Sequence, residues 1–420
     1  VLLLLLLTYT AANNTAGAGK FIGISILGSS GSETVAISDA VNLATNNLAA
    51  AASFTVGASV ETLTVAGAVT AKADAISLTA NAITLGADLT ANTSGAISFT
   101  GATTLTSAVV IAAAGTISFS STLNGTSAGA QNLTLTAGIS GDITLTGAVG
   151  VTNRLGAVTI TSAATVLTSG TFKANSFTQS AGSVETTFTG LLDLTGAFGF
   201  TGTALNINGA GPNAVGTTMT VTNSGLFTTA NTADLTVTSG FTQNGAGLNS
   251  LGGNITTSST GISFAKGVTL TNDTTLTGTT ITTGSTLGGS GFSLKIAGAA
   301  AIDGAVTSVT TLEVTGKTTL GASATAITTT DNQTYAALVL GADTTLDAGS
   351  GNISLPALVS GSSSLTTITV GAGVTTIAGA NTNTTTNVTT GVVLISNSSA
   401  SITNFAVSGG TLNGTGSIGT

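Results

Sequence analysis

The sequence predicts an all-β chain, a parallel β-helix (β-solenoid) of roughly 20 coils. Three observations predict it. A short apolar–hydroxyl–apolar word recurs along most of the length. The punctuation between words is Gly, Asn and Ser, with 57 Gly against 2 Pro in 420 residues. Charge is nearly absent: 7 Lys and Arg stand against 15 Asp and Glu, a net charge of −8.

The word is easy to follow. It reads "AISL" at 75–78, "AITL" at 82–85, "AISF" at 96–99, "TISF" at 116–119, "DITL" at 142–145, "AVTI" at 157–160, "GISF" at 261–264 and "NISL" at 352–355. Apolar and hydroxyl residues alternate with period two, the signature of a strand with one buried face. Ile143, Leu145, Val158 and Ile160 are expected inside, Thr144 and Thr159 outside. The spacing between words is loose: Ile97 to Ile117 is 20 residues, Ile117 to Leu133 is 16, Ile143 to Val158 is 15. Coils of about 20 residues with turns of variable length accommodate this. Stacking coils gives every inward residue an aliphatic neighbour above and below. The 14 Phe fill the wider places. Gly and Asn are expected at corners that need positive φ.

Residues 1–20 form a separate segment. "VLLLLLL" at 1–7 reads as a buried terminal strand or as the tail of a secretory signal, the strand being preferred. The chain does not begin with Met, which suggests a mature chain or a fragment. Residues 21–420 are expected to be one continuous β-helix. Within it, "SDAVNLATNNLAAAAS" (38–53) admits a short helix capped by Ser38, with Val41, Ala44, Leu48 and Ala52 as its stripe. The same residues also read as strand, turn, strand. "GADLTANTSGAISF" (86–99) is echoed by "GADTTLDAGSGNISL" (341–355).

Two stretches carry a family resemblance. "DNQTYAALVLGADTTLDAGSGNISL" (331–355) resembles a repeat of filamentous-haemagglutinin-like surface proteins. "GGTLNGTGSIGT" (409–420) resembles the repeat of autotransporter passengers. The resemblance implies a right-handed parallel β-helix, export, and a role as adhesin or surface fibre at a bacterial cell surface. The secretion-domain motifs NPNL and NPNG do not occur, so it extends to the fibre-forming repeat and leaves the export route open.

Composition removes several classes of function. The seven basic residues, Lys20, Lys72, Arg154, Lys173, Lys266, Lys295 and Lys317, are scattered, so nucleic acid has no electrostatic footprint. Mean hydropathy is +0.54, yet the longest bulky apolar run is far short of the roughly 20 residues a spanning helix needs. With no Trp and only Tyr9 and Tyr335, the aromatic girdles of a membrane barrel cannot be built. Without His or Cys, zinc and copper lose their usual ligands and a nucleophilic triad loses its base. "GGSGFSL" (288–294) has Phe292 and Ser293 where a calcium-binding repeat would carry Asp, so a Gly-rich corner is the expectation there.

Paired carboxylates remain. Asp343 and Asp347 could share a face as in a glycosidase, but Lys317 is the nearest base in sequence and Tyr335 the only nearby phenol. Solvated turn acids are the plainer reading. Paired Thr in "LTLTAG" (133–138), "ITLTGA" (143–148), "MTVTNS" (219–224) and "LTVTSG" (235–240) were weighed as an ice-binding array. Irregular spacing argues for ordinary outward strand residues. Asn-x-Ser/Thr occurs at Asn13, Asn92, Asn124, Asn132, Asn254 and Asn272, as a chain this rich in hydroxyls produces by chance.

The expected function is therefore structural: an extracellular, self-associating β-solenoid that forms or decorates a fibre, sheath or adhesive layer. No enzyme activity, metal or cofactor is expected. The partner is another copy, stacked head to tail because neither "VLLLLLL" nor "GTGSIGT" carries a charged cap, or packed laterally through Thr and Ser. An adhesin that binds a cell-surface or glycan partner is the alternative. A polysaccharide-degrading or ice-binding β-helix ranks below it.

Overall fold

The computed structural model describes residues 2–3, 23–27, 33–43, 53–57, 59–72 and 74–355. It further describes 359–360, 363–370, 372–378, 386–395, 401–402, 405–407, 409–414 and 417–418. The chain is an all-β parallel solenoid of about 16 turns. Among the described residues there is no helix. It divides into two compact units, Val1–Val215 and Gly216–Thr420. Each is a stack of coils.

One coil of the first unit shows the construction. Ile97–Leu105 supplies two rungs in a single bent strand, and Val109–Ala113 supplies the third. In the next coil Ile117 pairs with Ile97, Leu123 with Thr103 and Leu133 with Val109, all parallel. Three parallel ladders thus form three faces. The first runs through Ile76, Ile97, Ile117 and Ile143. The second runs through Leu63, Ile83, Thr103 and Leu123. The third runs through Leu89, Ile111, Leu135 and Ile160. The second unit has three parallel ladders of its own, and Phe227, Asn249 and Val268 lie on its first. Leu235, Ile255 and Leu276 lie on the second. Met219, Phe241, Ile262 and Ile281 lie on the third.

This register explains the loose spacing. Ile97 to Ile117 is a full coil on one ladder, whereas Ile117 to Leu133 and Ile143 to Val158 are part-coil steps from the first ladder to the third.

The period-two reading holds. Ile143, Leu145, Val158 and Ile160 are at most 2% exposed, and Thr144 and Thr159 are half-buried on the outer surface. Phe99 lies flat on Phe119, ring centroids 4.2 Å apart. Phe172, Phe177, Phe188 and Phe198 form a buried cluster of edge and stacked contacts at 5.1–5.8 Å.

Two expectations need correction. The helix over 38–53 cannot start at Ser38. The Val41 amide donates to the Ala68 carbonyl at 2.8 Å, and Val41–Asn42 is a strand paired with Val69 and Thr70. Ser53 opens the strand Ser53–Val56; residues 44–52 lie outside the described residues. Of 1–20, only Leu2–Leu3 is described, a strand paired with Thr34 and Val35. Finally, no described Asn has positive φ: the non-Gly residues there are Ser59, Thr93, Ser290 and Ser308. Asn serves the corners by its side chain instead. Asn254 Oδ1 accepts the Thr275 amide at 2.7 Å, and Asn332 and Asn352 Oδ1 accept amides of the following coil at 2.8 and 2.9 Å. These bonds satisfy amides where the chain leaves its ladder. Gly is required where the chain passes close to the coil below: at Gly101, φ +128°, a Cβ would lie 1.7 Å from the Ala80 carbonyl oxygen.

Candidate functional site

The residues singled out for chemistry are best followed from the strand that carries them. Asp343 and Asp347 flank the buried Thr344 and Leu346. They therefore face outward together, as the spacing suggested. Asp343 Oδ1 accepts the Ser364 amide at 2.7 Å, and Asp347 Oδ1 accepts the Gly349 amide at 2.9 Å. Both carboxylates thus bridge backbone turns. Lys317 stands where the second ladder turns into the third, and Asp343 where the third turns into the first. The fold does not bring them together.

Tyr335 points inward, fully buried, and its hydroxyl donates to Gln333 Oε1 at 2.9 Å. Burial pushes the phenol well above its ordinary range. A ring in this position cannot serve as a surface platform. In "GGSGFSL", Ser290 and Gly291 are both left-handed. The amides that follow are already used, Gly291 toward the Ser308 carbonyl and Phe292 toward the Gly289 carbonyl. Among the described residues no group of three or more Asp and Glu could hold a metal ion. No helix there is long and apolar enough to cross a membrane.

The paired Thr stretches do not meet. In the first unit Leu133–Thr136 is on the third ladder and Ile143–Leu145 on the first; in the second unit Met219–Asn223 is on the third ladder and Leu235–Val237 on the second. A different set does align. On the first ladder Ser77, Ser98, Ser118 and Thr144 stack in four consecutive coils. On the third ladder of the second unit Thr220, Thr242, Ser263 and Thr282 do the same. Next to this second column the chain opens into a trough of about 430 Å³. A second notch of about 380 Å³ lies in the first unit at the corner beside Asn81 and Gly101. Asn81 there donates to Glu61 at 2.6 Å.

Charged side chains scattered in sequence gather around Asp193. Arg154 donates to Asp193 Oδ1 at 2.8 Å, to the Asp193 carbonyl, and to the Ala174 carbonyl at 3.0 Å. Lys173 sits beside Asp193 on the second ladder, 3.2 Å from Oδ2. Partial burial would raise the Asp193 carboxyl, but the bonds from Arg154 and Lys173 outweigh it and hold it below the ordinary carboxylate range. Lys173 and Asp193 are 20 residues apart, as Lys295 and Glu313 are 18 apart. An opposite-charge pair one coil apart was the available signal.

The interior holds what the sequence reading missed. In the second unit Gln243 donates to Asn223 Oδ1 at 2.8 Å and to the Gly245 and Gly247 carbonyls at 3.0 and 3.2 Å. Asn223 donates to the Gly225 carbonyl at 2.7 Å, and Asn249 to the Gly267 carbonyl at 3.1 Å. All three amides are at most 1% exposed. They saturate Gly-rich turns from inside.

The chain matches no family model, no curated protein and no solved structure. What is established is a β-solenoid of stacked parallel coils.

Proposed function

We propose that this chain is a structural component of an extracellular bacterial surface layer, a self-associating β-solenoid that forms or decorates a fibre or sheath. The observation that carries this reading is the division of labour in every coil. Backbone groups are spent on the neighbouring coils and inward side chains on the core. What remains outside is mostly Ser and Thr in register, such as Ser77, Ser98, Ser118 and Thr144. A net charge of −8 over 420 residues puts little repulsion between copies. A parallel stack also repeats its hydrogen-bonding edge at every coil, so one copy can continue another. Head-to-tail stacking is the leading mode, and lateral packing through hydroxyl columns the second.

Electron microscopy and sedimentation of the purified chain test this. Filaments or sheets whose fraction rises with concentration are expected. A chain that stays monomeric at high concentration overturns the reading.

A further inference from the structure

The trough on the third face of the second unit has an unusual lining. Its floor is Gly240 and Gly261, which directly precede the rung residues Phe241 and Ile262. Both positions are tight, Gly261 against backbone and Gly240 against a side chain. A Cβ on Gly240 would lie 2.3 Å from the Thr260 hydroxyl, and one on Gly261 would lie 2.3 Å from the Thr280 carbonyl oxygen. In the flanking coils the same place is taken by Thr218 and Thr280, which close the trough at its two ends. One long wall is the stacked column Thr220, Thr242, Ser263 and Thr282. The phenyl and aliphatic bodies behind this wall, Phe241 and Ile262, are buried.

The polar groups of this wall are uncommitted. Thr220, Thr242, Ser263 and Thr282 make no side-chain hydrogen bond within the protein, unlike Thr222, which donates to Asn244 at 2.6 Å. Each hydroxyl can donate and accept. They recur at the rung spacing of about 4.8 Å, close to the length of one sugar residue in an extended chain. No charged side chain lines the trough.

We propose that this trough binds a neutral, linear oligosaccharide lying along the stack, its hydroxyls exchanging hydrogen bonds with the Thr220 to Thr282 column. A neutral ligand fits because the lining offers no partner for an anion or a cation. A polyhydroxylated ligand fits because every wall hydroxyl can both donate and accept a hydrogen bond. An extended ligand fits because the trough crosses four coils. The one aromatic of the lining, Phe241, is buried, so one site is weak, and affinity comes from repetition of the site on an assembled fibre. The inference goes beyond the structural reading and does not depend on self-association.

The test is methyl NMR of the full chain labelled at Thr, titrated with a linear β-1,4-linked glucose hexamer. Saturable shifts at Thr220, Thr242 and Thr282 are expected. The combined variant Thr242→Val, Ser263→Ala, Thr282→Val keeps strand-compatible shapes and should weaken binding about tenfold. Thr144→Val, on the other unit, should leave it unchanged, and an intact methyl spectrum establishes that each variant is folded. The proposal is overturned if the shifts do not saturate, if the variant binds like the parent, or if a hexamer of uronic acid binds as tightly. It is also overturned if the shifts follow protein concentration rather than sugar, which would make the trough a contact between copies. A monomeric chain that binds the hexamer would sink the fibre reading alone.

Discussion

The coils around Phe172 to Phe198 in the first unit and those around Asn223 to Asn249 in the second each fill a narrow interior, by opposite means. The first use four phenyl rings, packed edge-on and stacked at 5.1–5.8 Å. The second use three amides that hydrogen-bond one another and the carbonyls of their own turns. Rings gain from area and dispersion, which depend little on direction. Amides gain only when each donor meets its acceptor, and they lose when it does not. The aromatic region should therefore tolerate change of shape, and the amide region should not.

The largest effect tests whether the interior accepts polarity without partners. Leu145 is 2% exposed between Phe119 and Thr168 of the adjoining coils. Leu145→Asp removes its packing and buries an unpaired carboxylate, together upwards of about 5 kcal/mol. Thr144→Asp, one residue away and facing out, should cost about 0.5 kcal/mol or less. Equal loss of thermal stability for both would refute the assignment of faces.

The next two substitutions install the same residue in both regions. Gln243→Leu strips partners from Asn223 Oδ1 and from the Gly245 and Gly247 carbonyls, and should cost about 2–4 kcal/mol. Phe188→Leu leaves an apolar group among Phe172, Phe177 and Phe198 and should cost about 1 kcal/mol. Denaturant midpoints decide the order. If Phe188→Leu proves the worse, the contrast between area and direction is wrong.

The smallest effect concerns a surface ion-pair cluster, where direction also matters. Asp193 has its folded-state pKa lowered by Arg154 and Lys173. Its contribution is present above the unfolded carboxylate value of about 3.9 and fades as pH falls through the folded value. Asp193→Asn should lower the melting midpoint slightly at pH 7, and the difference should vanish in acid. A difference that grows on acidification would show that the ion pair does not stabilise the fold.

Much of this architecture was legible, and the reasons are local. Alternation in "DITL" and "AVTI" sorted Ile143, Leu145, Val158 and Ile160 inward because a strand's side chains change face at every residue. The scarcity of Pro fitted strands with short turns. The helix start at Ser38 failed because the same apolar spacing suits a strand, and ladder bonds to Ala68 and Thr70 took the amides of Val41 and Leu43. Asn at the corners was anticipated for a backbone reason and serves by a side-chain one. Sequence shows that an Asn stands at a corner, but not which amide of the next coil comes within reach.

The sequence by itself determined the parallel β-solenoid, the in–out pattern of each strand and the hydroxyl-rich, weakly charged exterior. These follow from composition and from a period of two, which no distant contact can change. Only the tertiary structure decided which word sits on which face, that Arg154 and Lys173 meet on Asp193, that Gln243 finds Asn223 indoors, and that Thr220, Thr242, Ser263 and Thr282 form one wall. Each of those depends on the phase of one coil against the next. That phase is set by turns whose length varies from coil to coil, so that a step of 20 residues from Ile97 is followed by one of 26 from Ile117. Neighbours across coils therefore exist only once every intervening turn has been folded.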